Sequence, residues 1–382
     1  MKRVLSLLAG MALLLSAGPV GAEPTAGGFV SDNVEFVRNI PIEAGTATGA
    51  RLVGKHLYLT SWKSISIYDV SDPVDPVLLS MTPVGLAFEN EDVSTDGQVL
   101  LFSESAPGNA LHVWDVSNKE RPVKVAELPG AGDHTHTCIL RCRWSYGADG
   151  SIVDLRDPPK ARVVGDWHEK LGITGGTHDV DEFRNGFIVT SPYFSGPIQL
   201  VDVRRPMHPD VIVSGKPHPV APEPVPAASN VHATKWPRGG RDRFLMAEGG
   251  SNLYQQTCSP EGRNFWLFDA SRWRGGGPLR FLDEYFPGSG TFTDGKLPVS
   301  PLGCSPHWFD VHPEFRNGGL VAVSYYDYGT RILRITRRGA IEEAGWFLPY
   351  GGVTFSAYWL TEEIVYAVDA VRGIDILRFR DA

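Results

Sequence analysis

The sequence predicts an all-β fold built from seven repeated sheets, and three observations carry that prediction. A β-rich segment that closes on a fixed type of residue recurs along the chain. Its spacing matches one four-stranded sheet. Helical periodicity is absent after the first 22 residues. The recurring segment reads Ser64-Ile65-Ser66-Ile67-Tyr68-Asp69, then Leu111-His112-Val113-Trp114-Asp115, Ser151-Ile152-Val153-Asp154, Ile198-Gln199-Leu200-Val201-Asp202 and Trp266-Leu267-Phe268-Asp269. Two altered copies follow, Ile332-Leu333-Arg334-Ile335 and Ile376-Leu377-Arg378-Phe379, with arginine where aspartate is expected. The marker positions 69, 115, 154, 202, 269, 334 and 378 lie 39 to 67 residues apart. A repeat of about 40–50 residues is one propeller blade. The prediction is therefore a seven-bladed β-propeller with four-stranded blades, a single domain over residues 23–382. The two long steps hold insertions at 217–226, 249–262 and 288–303, rich in proline, glycine and polar residues.

Each period supplies the other strands. In the first, Ala50-Arg51-Leu52-Val53 and Leu57-Tyr58-Leu59-Thr60 precede the marker strand and Val77-Leu78-Leu79-Ser80 follows it, with turn residues between. After Phe379 no residues remain for a last strand. Val34-Glu35-Phe36-Val37 can supply it and close the ring, which removes two unpaired sheet edges. The marker aspartates are expected to accept hydrogen bonds from backbone amides in the turn that leaves the strand. These marker strands resemble the repeats of LVIVD-repeat proteins, bacterial surface or secreted proteins assigned to β-propellers. The resemblance spans roughly residues 34 to 380 and implies the fold and an exported location, without a particular activity. Arg334 and Arg378 depart from its pattern.

The N-terminus carries an address. Lys2 and Arg3 precede an apolar run over residues 4–15, and Val20-Gly21-Ala22 forms a small-residue cleavage site ahead of Glu23. That layout reads as a signal peptide over residues 1–22, and the run is too short for a membrane anchor, which needs about 20 apolar residues. The expectation is a secreted, periplasmic or cell-surface protein with no transmembrane segment in the mature chain. A net charge of −8 argues against a nucleic-acid partner. Four cysteines in an exported chain read as disulfides, paired 138 with 142 and 258 with 304, one of three connectivities.

The histidines carry the functional signal. Four consecutive blades, the third to the sixth, begin their innermost strand near one: Asp133-His134-Thr135-His136-Thr137, Thr177-His178-Asp179, Val231-His232-Ala233 and Pro306-His307-Trp308. Innermost strands surround the channel, so equivalent positions converge on the axis. Neutral imidazoles without thiolates suit a transition metal, Cu, Fe or Zn. The expected ligands are His136, His178, His232 and His307, with His134 as the alternative in its blade. His136 is preferred because threonine precedes it, as it precedes His178. Glu91 and Asp92 are the expected catalytic carboxylates, and Asp133 and Asp179 are nearby candidates to orient a ring, Asp179 the weaker because strand alternation turns it from His178. The bland reading is a hydrogen-bonded channel lining without metal. Carotenoid-cleaving oxygenases, which hold iron on four axial histidines of a seven-bladed propeller, and selenium-binding proteins with methanethiol oxidase activity offer a likeness of architecture and ligand type, with no shared local motif.

The function read from the sequence is a metal-dependent oxidoreductase acting on a small-molecule substrate, its entrance covered by the insertions. The alternative is a non-enzymatic secreted or surface scaffold for an extracellular ligand. A third reading is a hydrolase with a Ca²⁺ site at Glu91, Asp92 and Asp133, disfavoured because imidazoles outnumber acids at the strand starts.

Overall fold

The computed structural model describes residues 23–24, 27–42, 46–85, 93–192, 196–215, 231–249, 264–287 and 305–381. They form seven antiparallel sheets arranged as a ring. The first blade runs outward through Ala47–Val53, His56–Ser61, Ser64–Asp69 and Val77–Pro83. Every marker segment is the third strand of its blade, from Ser64–Asp69 to Gly373–Phe379. Val34–Ile40 pairs with Gly373–Phe379 and supplies the fourth strand of the seventh blade, so the ring closes as expected. Glycine is required at that seam: Gly373 has φ 102°, and a Cβ there would stand 2.2 Å from the Ile40 carbonyl oxygen. The sixth blade holds an addition that the strand pattern did not announce. Gly28–Val30 pairs with its outer strand, Ile341–Pro349, and Glu23–Pro24 pairs with Gly28–Val30, giving six strands.

Alternation along each strand builds the core. In Phe244–Gly249, Phe244 and Met246 pack with Val321, Val323 and Leu333 of the sixth blade. Leu245 and Ala247 pack with Val189 and Leu200 of the fourth. Both faces are buried, which is why these strands read as unbroken apolar runs. The aspartates behave as expected. The Oδ1 atoms of Asp69, Asp115, Asp154, Asp202 and Asp269 accept the amides of Ser71, Ser117, Arg156, Arg204 and Ser271, each two residues on. Where arginine replaces aspartate, it pairs with acids instead: Arg334 with Asp381, and Arg378 with Glu35. Among the described residues no helix is long and apolar enough to cross a membrane.

Candidate functional site: an imidazole row at the axis

In a propeller, side chains of a regular inner strand point sideways into the two neighbouring blades. Reaching the axis takes an irregularity, and this chain uses β-bulges. In the first strand of the fourth blade, Thr177–Arg184, Thr177 opposes Pro192 and Asp179 opposes Ser191, so His178 is the extra residue. In the fifth blade Val231 opposes Gly249 and Ala233 opposes Glu248, leaving His232 as the extra residue. Thr48 and Phe355 hold the same place in the first and seventh blades. A bulge re-aims a side chain out of the pleat, and His178 and His232 lie with ring centroids 3.8 Å apart.

His134 and His307 extend this pair into a row. His134 Nε2 lies 2.9 Å from His178 Nε2, and the His307 centroid lies 4.4 Å from that of His232. Tyr326 and Phe355 close the far end against His307. Two rings have assigned tautomers, because their partners can only accept. His232 Nδ1 donates to Glu248 Oε1 at 2.7 Å, and His307 Nδ1 donates to the Phe355 carbonyl at 2.7 Å. When neutral, both rings therefore carry their lone pair on Nε2. Glu248 also accepts the Trp308 amide, at 2.8 Å, and is fully buried. Its other oxygen, Oε2, is buried with no hydrogen-bond partner among the described residues.

His136 stands apart. Its Nε2 donates to the Ala131 carbonyl at 2.8 Å while Nδ1 faces Ser145 Oγ at 3.4 Å, and burial pushes the imidazole below its ordinary pKa. Both nitrogens are committed within its own neighbourhood, and the row takes His134 in its place. The threonine before His136 does not mark an axial position, because this blade has no bulge there: His136 pairs directly with Gly147. Thr135 instead donates to the His178 carbonyl, and Thr137 to Asp179 Oδ1 at 2.7 Å, lashing the third blade to the fourth. Asp179 thus serves an inter-blade bond, and burial raises the Asp133 carboxyl above its usual range. Glu91 and Asp92 lie outside the described residues, as do Cys258, Cys304, residues 1–22 and nearly all of the three insertions. Cys138 and Cys142 are joined as expected. His168 and His112 are held by Thr177 and Glu104, in keeping with structural use.

Sequence reasoning missed Glu248. A signal for Glu248 was present: a lone carboxylate ending the apolar run Phe244-Leu245-Met246-Ala247 needs a partner. Trp308, with φ 54°, sits between His307, whose amide bonds to Ser324, and Phe309, which opposes Val323. Its ring approaches His232 to 5.2 Å and roofs a channel cavity of ≈ 160 Å³ whose walls include Arg51, Thr137, Asp179, Asp181 and Lys235. Burial raises the Asp181 carboxyl, opposed by the charges of Lys235 and Arg51. Among the described residues no group of three or more His, Cys, Asp or Glu is disposed to hold a metal ion. The imidazoles form a row of neighbours rather than a closed cage.

Comparison with known proteins gives the same architecture. The chain is similar to the β-propeller domain of Cps50 (Swd1) from Myceliophteria thermophila, with a TM-score of 0.60, 13% identity, and 91% of this chain and 100% of that one covered. It is also similar to Kluyveromyces lactis Hsv2, at TM-score 0.52 and 15% identity, covering 86% of this chain and 91% of that one. A chain of the mitotic checkpoint complex matches at TM-score 0.54 and 13% identity, with 97% and 99% covered. These likenesses carry the fold. No protein-family model matches the chain and no curated protein matches it significantly, so the resemblance to LVIVD-repeat proteins rests on the repeat strands themselves.

Proposed function

We propose that this chain is an exported β-propeller whose axial imidazole row, His134, His178, His232 and His307, binds a transition-metal ion, Cu, Fe or Zn, and presents it to a small molecule in the channel. The observation that carries the reading is the row itself: four rings from four successive blades in mutual contact. Three details support it. Two Nε2 atoms 2.9 Å apart match ligands set at about 90° with bonds of about 2.0–2.1 Å to one metal, the angle of a tetragonal site. His232 and His307 hand Nδ1 to a carboxylate and a carbonyl, the arrangement that orients ligating histidines. Among the described residues Glu248 Oε2 is buried without a hydrogen-bond partner, a position that a cation or a bound water would satisfy. A bound ion supplies Lewis acidity, and Cu or Fe adds electron transfer, which is the basis for an oxidoreductase. The chain's own part is to orient the rings through Glu248 and Phe355 and to limit access through the cavity under Trp308.

The test is elemental analysis of the purified protein, with a His178→Ala/His232→Ala double variant. Stoichiometric Cu, Fe or Zn that disappears in the variant supports the proposal. The linear arrangement of the rings favours a second reading, a metal-free scaffold whose imidazoles only line the channel. That reading expects no bound metal and an unchanged melting temperature when metal is added.

A further inference from the structure

The turn between the first two strands of the third blade, His136–Ile139 and Trp144–Gly147, differs from its counterparts. In the first, second and fourth blades this turn contains one glycine with positive φ: Gly54 at 59°, Gly97 at 87° and Gly186 at 80°. In the third blade no glycine is present. Leu140, Arg141 and Cys142 lie in the left-handed region one after another, at φ 53°, 59° and 48°. L-residues visit that region singly and at a cost, and consecutive ones are disfavoured at each position. Two things hold the turn in place. The Cys138–Cys142 disulfide closes it, and the Glu182 carboxylate accepts the Leu140 amide with both oxygens, at 2.9 and 3.0 Å. The closed turn also forms part of the wall of the axial cavity, through Cys138, Arg141 and Cys142. Thus a crosslink that maintains an unfavourable backbone faces the space beneath the imidazole row.

We propose that Cys138–Cys142 is a redox-exchangeable disulfide, opened by a low-molecular-mass thiol from the cavity. The incoming thiolate attacks Sγ of Cys138, the more exposed of the two residues. A sulfur–sulfur bond forms, the Cys138–Cys142 bond breaks, and the electron pair leaves on Cys142 Sγ. A second thiol attacks the sulfur of the first in the mixed disulfide and releases Cys138. Two external thiols are oxidised to one external disulfide, their two electrons reduce the protein, and their two protons pass to the cysteines. Release lets residues 140–142 leave the left-handed region and reshapes one wall of the cavity. A structural disulfide behaves oppositely, resisting small thiols until the protein unfolds.

The experiment equilibrates the native full chain in graded dithiothreitol redox buffers, with near-ultraviolet circular dichroism to monitor folding. Maleimide labelling and peptide mass mapping separate Cys138 and Cys142 from Cys258 and Cys304. The expected result is complete labelling of Cys138 and Cys142 while the native spectrum persists. A Leu140→Gly/Arg141→Gly variant, relieved of left-handed cost at two positions, should need a reducing ratio about thirtyfold higher for half-reduction. Labelling that appears only as the native spectrum collapses overturns the proposal. So does a folded glycine variant that is reduced as readily as the wild type. If the variant does not fold, the wild-type labelling decides alone.

Discussion

Replacing Glu248 tests the geometry of the row directly. The carboxylate is fully buried and accepts two donors through one oxygen, His232 Nδ1–H and the Trp308 amide. Glu248→Ala removes the acceptor of both hydrogen bonds, at about 1–3 kcal/mol each, and opens a cavity beside them. The expected loss is about 4 kcal/mol. Glu248→Gln keeps a carbonyl oxygen for both donors and places its NH₂ where Oε2 has no partner, so its expected cost is only about 1 kcal/mol. The two variants separate two roles of one side chain. Stability depends on the acceptor, whereas affinity for the proposed metal depends on the carboxylate that orients His232. Loss of such an orienting carboxylate lowers metal affinity about 10–100-fold. Urea denaturation reads the first quantity, and competition of Zn²⁺ or Cu²⁺ against a chromophoric chelator reads the second. An alanine variant that loses less than about 1 kcal/mol refutes the two hydrogen bonds. A glutamine variant that binds metal as tightly as the wild type refutes the carboxylate's part in the site.

Further predictions follow from other parts of the ring. Burial raises the Asp369 carboxyl to about 6, so the folded state binds the extra proton between that value and the usual carboxylate range. Ionisation therefore opposes folding above pH 6, and stability should rise as pH falls from 7 towards 4, by at most about 3 kcal/mol. Asp369→Asn should remove that increment in a pH series of urea melts. Asp154 lies the other way, lowered to about 2 chiefly by its hydrogen bond from Arg156. Its contribution is present above pH 4 and lost as pH falls towards 2, and after solvent screening Asp154→Ala should cost about 1 kcal/mol at neutral pH. Gly373→Ala forces a Cβ against the closing strand at positive φ and should destabilise the ring by about 3 kcal/mol, measured by chemical denaturation.

The fold was legible because the first five blades repeat the same physical solution. A third strand buried on both faces is rich in apolar residues, and the chain leaving it uses an aspartate to accept the turn amide. Val153 followed by Asp154, or Phe268 followed by Asp269, displays both requirements in adjacent residues. The closing strand was legible by subtraction, since Phe379 left the seventh blade one strand short. The N-terminal addition to the sixth blade was not, because Glu23–Pro24 and Gly28–Val30 are too short to show alternation. The pairing of Gly28–Val30 depends on an edge more than 300 residues away.

That histidines from the third to the sixth blades lie side by side was legible in the sequence, and which histidine of the third blade joins them was not. Counting residues from the strand start treats all inner strands as equivalent, yet the bulges at His178 and His232 have no counterpart at His136. One inserted residue decides whether a side chain enters the wall between blades or turns towards the axis. A histidine after threonine is thus a hydrogen-bonded core residue in the third blade and an axial residue in the fourth. The same reasoning explains Trp308: it occupies the place where a further bulge histidine would stand, and His307 reaches the row from one position earlier, anchored on the Phe355 carbonyl. The row is therefore assembled from two bulge residues and two flanking residues, which is why it runs as a line of neighbouring rings and not as a symmetric ring about the axis.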